Sequence, residues 1–177
     1  MRVTLSFRLL EDRIHEWLQP RRQTSKRAKR GANLLALVAD NSEGLNITDS
    51  GARKSRADTL KQTLKTTPGN WQAKLTHDFE VKRYAFDSRL KNIGTFSELT
   101  FGGSASQLGD SLRILARRYR GRPLAGIVVF TDGVATDLEN DLPPLAGLPP
   151  VYPVIVGRKA PKRDLALGKV TPTQTAF

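Results

Sequence analysis

The sequence predicts a single α/β domain, a three-layer α/β/α sandwich built around a mostly parallel sheet. Three observations lead there. Leu34 to Ala39 is an unbroken run of six apolar residues, the pattern of a strand covered on both faces. Leu124 to Thr131, LAGIVVFT, is a second run of the same kind. Between them Leu108, Leu112, Leu115 and Tyr119 recur at helical period, so a helix is expected to cross from one strand to the other. A chain of 177 residues is long enough to bury one sizeable core.

Taken in order, residues 1–31 read as a helical and basic extension, 32–157 as the domain, and 158–177 as a tail or the start of a following domain. In the extension Leu5, Leu9, Ile14, Trp17 and Leu18 have roughly helical spacing, and Pro20 stops the helix. The first strand is expected over Asn33–Ala39. Asp49 or Ser50 then caps a helix over Ala52–Lys65. That helix carries Ala57, Leu60 and Leu64 on one face and Arg53, Lys54, Lys61 and Lys65 on the other, and Pro68-Gly69 ends it.

Trp71, Ala73 and Leu75 read as a connector. Asp78–Phe86 is a second strand whose mixed pattern predicts less burial than the first. Asp87-Ser88 is a turn, Leu90–Ile93 a short edge strand, and Phe96–Phe101 has no clear assignment. Gly102 to Ser106 is a hydroxyl-bearing loop before the periodic helix. That helix shows Arg113, Arg117, Arg118 and Arg120 outward and stops at Gly121. Thr136 is expected to cap a short turn running to Asn140. DLPPLAGLPP is too rich in proline for a long helix. Val151–Val156 is the last strand, at an edge where Pro153 is tolerated.

Composition narrows the function classes. There is no cysteine, which removes disulfides and thiolate metal sites. His15 and His77 lack metal-ligand spacing. The formal charge is +12, and six of the ten residues from Arg21 to Arg30 are basic: Arg21, Arg22, Lys26, Arg27, Lys29 and Arg30. Such a run reads first as a solvated segment. Its functional reading is polyanion binding, to nucleic acid or to anionic lipid headgroups. No aromatic-interleaved basic motif supports sequence-specific nucleic-acid reading, so nucleic acid is the less favoured partner. No apolar run reaches the ~20 residues of a membrane span. The N-terminus meets charges too early for a secretory signal. The expectation is a soluble, cytoplasmic chain.

Three polar loops are expected at one edge of the sheet. Asp40-Asn41-Ser42-Glu43-Gly44 follows the first strand, Gly103–Gln107 leads into the periodic helix, and Thr131-Asp132-Gly133 follows the later strand. In open α/β sheets, ligands bind at the carboxyl ends of the strands. Asp and Ser two apart can aim two oxygens at one point, a donor set for a hard cation such as magnesium. Each loop taken singly reads better as a turn held by its own side chains, and it is the three in this order that favour a shared site.

The pieces ALVADNSEG, VKRYAFDS, SASQLGDSLRILARRYRGRPLAGIVVFTDGVATD and VYPVIVG resemble von Willebrand factor A (vWA) domains. The resemblance runs from Ala32 to Gly157, and its texture is that of vWA domains in large bacterial membrane-anchored proteins. It implies a Rossmann-like vWA fold and a metal-ion-dependent adhesion site, in which a partner's Asp or Glu completes the shell of a bound ion. The metal ligands it implies are Asp40, Ser42, Ser106 (with Ser104 as the fallback) and Asp132. The ion would be magnesium, with manganese or calcium as substitutes. Gly44 departs from the pattern, since it stands where the family has a second ligand serine, and Glu43 should point away.

The function expected is a protein-interaction module binding another protein through this site, complete or degenerate; binding of a polyanion is the alternative. Should the parent be anchored in a membrane before residue 20, Arg21–Arg30 would lie against anionic headgroups. An enzyme is not expected. There is no GxxxxGK[ST] loop, no second aspartate two residues after Asp40, and no Ser-His-Asp arrangement.

Overall fold

The computed structural model of the chain describes residues 33–66, 70–138 and 148–157. The expected N-terminal helix, the basic run Arg21–Arg30, Pro68-Gly69, the end of the turn at Asn140, most of the proline-rich segment and the tail lie outside the described residues.

The order of elements is β1 (Leu34–Asp40), α1 (Arg56–Leu64), α2 (Trp71–Asp78), β2 (Glu80–Phe86), β3 (Leu90–Asn92), α3 (Leu108–Arg118), β4 (Leu124–Thr131) and β5 (Val151–Ile155). The strands form one five-stranded sheet in the order β3-β2-β1-β4-β5. Only the β2–β3 pair is antiparallel. The chain therefore builds outward from β1 in one direction and then returns to build outward in the other. The switch falls between β1 and β4, the place where ligands bind in open α/β sheets.

Burial follows from the sequence pattern. All seven residues of β1 are buried. Leu35, Leu37 and Ala39 join a cluster with Leu45, Ala57, Leu60, Leu64, Trp71 and Leu75. Leu34, Ala36 and Val38 face the other way, into a cluster with Leu112, Leu115 and Tyr119. An unbroken apolar run is thus needed because alternate residues enter opposite cores. Each large aliphatic side chain so buried contributes about 1.5–3 kcal/mol. In β2 the first residue is exposed and only the last three are buried, matching its mixed pattern.

Three expectations are corrected. The first helix starts at Arg56, and neither Asp49 nor Ser50 caps it. Ser55 is the cap, its Oγ accepting from Asp58 N at 3.0 Å, while Asp49 is engaged by Arg56. The supposed connector at Trp71 is the helix α2. Asn70 caps it by accepting from Ala73 N at 3.1 Å. It docks through Trp71 Nε1 and Gln72 Nε2, which donate to the carbonyls of Thr63 (3.2 Å) and Leu64 (2.7 Å) at the end of α1. The second strand accordingly begins at Glu80 rather than Asp78. The undecided stretch at Phe96 is a 3-10 turn over Phe96–Glu98, with a capping box formed by Thr95 and Glu98.

β5 is an edge strand. Pro150 O accepts from Ile127 N, and Val156 N donates to Thr131 O. Even-numbered positions therefore face β4, and the nitrogen of Pro153 faces outward, where a missing N–H breaks no ladder bond. Among the described residues no helix is long and apolar enough to cross a membrane.

Candidate functional site

The three polar loops meet on one rim, and the backbone laces them together. Glu43 N donates to Gly103 O at 2.7 Å, and Gly103 N donates to Asn41 O at 3.0 Å, joining the first loop to the second. Thr136 N donates to Ser106 O at 2.9 Å, joining the second to the third. The close approach at the first junction requires glycine. A Cβ on Gly103 would lie 2.3 Å from Asp87 Cβ. Asn41 reinforces it: its Oδ1 accepts from Thr100 N and Phe101 N, both at 2.8 Å.

Asp40 sits at the end of β1, fully buried. Its Oδ1 accepts from Ser42 N at 2.9 Å. Its Oδ2 accepts from Ser106 Oγ at 2.8 Å and from Thr131 Oγ1 at 3.0 Å. Burial pushes the Asp40 carboxyl above its ordinary range, and the donors from Ser42, Ser106 and Thr131 oppose that without cancelling it. Ser106 is thus the middle-loop residue of the site, while Ser104 is exposed. Glu43 is exposed and takes no part.

Asp132 follows β4. Its Oδ1 accepts from Val134 N at 3.0 Å, and its side chain is 5% exposed. A Cβ placed on Gly44 would lie 3.7 Å from Asp132 Oδ2 and 3.9 Å from Ser42 Oγ. Asp132, Ser42 and Gly44 therefore border one small space. All four expected residues, Asp40, Ser42, Ser106 and Asp132, stand on the same rim.

Three participants were not anticipated. Thr131 is one, through its bond to Asp40. The others are Arg56 and Asp49. Arg56 opens α1 on the buried side. Its guanidinium donates to Asp49 through Nη2 at 2.6 Å and Nε at 3.2 Å, and to Asp132 Oδ2 through Nη1 at 3.0 Å. Asp49 holds this guanidinium protonated more firmly than usual, against the effect of burial, and Asp132 adds to it. A signal for Arg56 was in the sequence: it lies four residues before Leu60 and eight before Leu64, on the stripe that otherwise faces the core.

The residues present do not fit a divalent ion. Asp132 is paired with a guanidinium that would repel a second cation. Gly44 supplies no hydroxyl. Among the described residues no three His, Cys, Asp or Glu side chains are gathered as an ion cage.

Two of the three large apolar side chains exposed among the described residues flank this rim. Ile47 is 54% exposed and its carbonyl accepts from Arg56 N; Val134 is 52% exposed and follows Asp132 by two. No family model matches the chain, and no curated protein sequence matches it.

Proposed function

We propose that this is a protein-interaction module of vWA type, a three-layer α/β/α sandwich that binds another protein across the rim between β1 and β4. The observation that carries the reading is the lacing of three distant polar loops into one surface at the topological switch, flanked by exposed Ile47 and Val134. In the metal-dependent version of this reading, an ion on Asp40, Ser42, Ser106 and Asp132 accepts a partner's carboxylate. With Arg56 on Asp132, the degenerate version is favoured, in which the rim's own donors, acceptors and apolar flanks make the contact. No bond chemistry is involved.

The test is site-directed photo-crosslinking with the full chain in lysate of its source cells. Crosslinkers at Ile47 and Val134 are expected to give discrete protein adducts, competed by unlabelled chain and lost with Asp132→Ala. Adducts equally abundant from a crosslinker at Lys74 on α2, or indifferent to the rim substitution, would reject the reading.

Polyanion binding keeps a second place on one observation. Arg113, Arg117, Arg118, Arg120 and Arg122 are all exposed along α3 and the turn after it. A parent anchored in the membrane would hold the basic residues Arg21–Arg30 against its cytoplasmic surface.

A further inference from the structure

We infer that Arg56 takes the electrostatic role that the family pattern gives to a divalent ion, so that the rim is assembled and held by protein groups alone. The inference goes beyond the binding reading, because it concerns what neutralises the rim and stands whether or not a partner docks there.

Four features of the structure support it. First, the guanidinium bridges two loops: Asp49 lies in the segment before α1, and Asp132 follows β4, 76 residues after Arg56. A bridging ion would do the same work of joining distant carboxylates. Second, the cation is enclosed. The Arg56 side chain is only 10% exposed, and Asp49 and Asp132 are 17% and 5% exposed. Third, the backbone is fitted over it. A Cβ on Gly157 would come within 3.0 Å of Arg56 Nε and 3.3 Å of Asp49 Oδ2, and Gly157 has φ of +130°, so the chain leaving β5 closes over the pair only as glycine. Fourth, the charges are shared so that Asp49 receives two donors and Asp132 one. The planar fork of arginine allows this division, and lysine has no equivalent.

The space beside Gly44 is the part of the rim an ion would need. At Gly44 the φ is ordinary and a Cβ would make only van der Waals contact, at 3.7 Å from Asp132 Oδ2 and 3.9 Å from Ser42 Oγ. A serine would fit there without strain. The hydroxyl is absent and the guanidinium is present, and both act in the same direction, away from a divalent ion.

The experiment uses the full chain and two readouts at matched ionic strength: thermal melting, and the electron paramagnetic resonance signal of free manganese. For the wild type, magnesium, manganese, calcium and EDTA are expected to leave the melting temperature unchanged, and the manganese signal is expected to stay that of the free aqua ion. Gly44→Ser alone is expected to remain indifferent, because Arg56 still holds Asp132. The double variant Arg56→Gln, Gly44→Ser is expected to melt lower without metal. It should recover by a few degrees with magnesium or manganese, as linkage to a bound ion requires, and quench the manganese signal. Stoichiometric quenching by the wild type would overturn the inference. So would metal uptake by Gly44→Ser alone, since the guanidinium would then be no obstacle. If the double variant fails to fold in every condition, the wild-type and Gly44→Ser signals still decide the matter.

Discussion

At the scale of single residues, the rim turns on how buried carboxylates are satisfied. Asp40 carries three donors, so its removal leaves the Ser42 N–H and the hydroxyls of Ser106 and Thr131 without their acceptor. Asp40→Ala is therefore expected to cost about 1–3 kcal/mol in urea unfolding. Asp40→Asn should cost less, because an amide keeps one acceptor and the hydroxyls can rotate. Both variants lack a titrating group at this position, so wild type differs from either in pH dependence. The folded carboxyl of Asp40 is raised above its ordinary value of 3.8, so the native state holds its proton more tightly than the unfolded chain. That contribution is fully present below the ordinary value and is lost as pH rises through the folded one. The stability advantage of wild type over Asp40→Asn should accordingly be largest in acid and shrink as pH rises; a difference that grows with pH would contradict it. Asp87 works in the opposite sense. Burial raises its carboxyl, but Lys91, Asn41 and the Arg89 N–H more than offset this and hold it low, so its contribution is lost as pH falls. Ser106 and Asp132 could be found in the sequence because each sits beside a strong element boundary. Arg56 was passed over because a charged residue within a helix reads as solvent-facing, and the partners that make its burial tolerable are Asp49, outside the helix, and Asp132, distant in the chain.

At the scale of elements, legibility tracked how many side chains an element buries and with what period. β1 and β4 announce themselves because each is an unbroken apolar run up to its last residue, Asp40 or Thr131. α3 does so because Leu112, Leu115 and Tyr119 are buried at helical spacing while Arg113 and Arg117 are exposed. α2 was hidden because one of the three residues it buries is polar: Gln72, satisfied by the Leu64 carbonyl. A buried glutamine is invisible to a hydrophobic pattern. α3 also carries a polar tie, a 2.6 Å bond between the hydroxyls of Tyr119 and Tyr84 on β2, and Arg118 lies 5.4 Å over the Tyr84 ring. Leu115 is fully buried between this pair and β1 in the second core. Leu115→Ala is expected to destabilise by about 2–5 kcal/mol, read as a lower denaturation midpoint with an unchanged denaturant slope. A loss below about 1 kcal/mol would show that α3 is not a structural wall of the fold.

For the whole molecule, charge and topology separate two kinds of binding. A net charge of +12 is expected to draw polyanions without reading their sequence. The chain is expected to retard single-stranded nucleic acid of any sequence at low salt. The log of the affinity should fall linearly with log salt, by about 0.7 per phosphate contact. Arg117→Ala with Arg120→Ala should flatten that slope, whereas Asp132→Ala should leave it alone. A rim variant that changed the salt slope would mean the two surfaces are one. The sheet order itself was not written in the sequence, since pairing of β1 with both β2 and β4 is decided by where two crossovers return. What the sequence did carry was enough to put Asp40 and Asp132 at the same edge of the sheet, and the structure makes their strands neighbours.

The outward-facing nitrogen of Pro153 has a last consequence. A guest strand laid along β5 would find one rung with no hydrogen to offer, and on the opposite flank β3 is only three residues long. Both flanks of the sheet are therefore expected to resist sideways extension, and a docking partner is expected to approach from the loop rim instead.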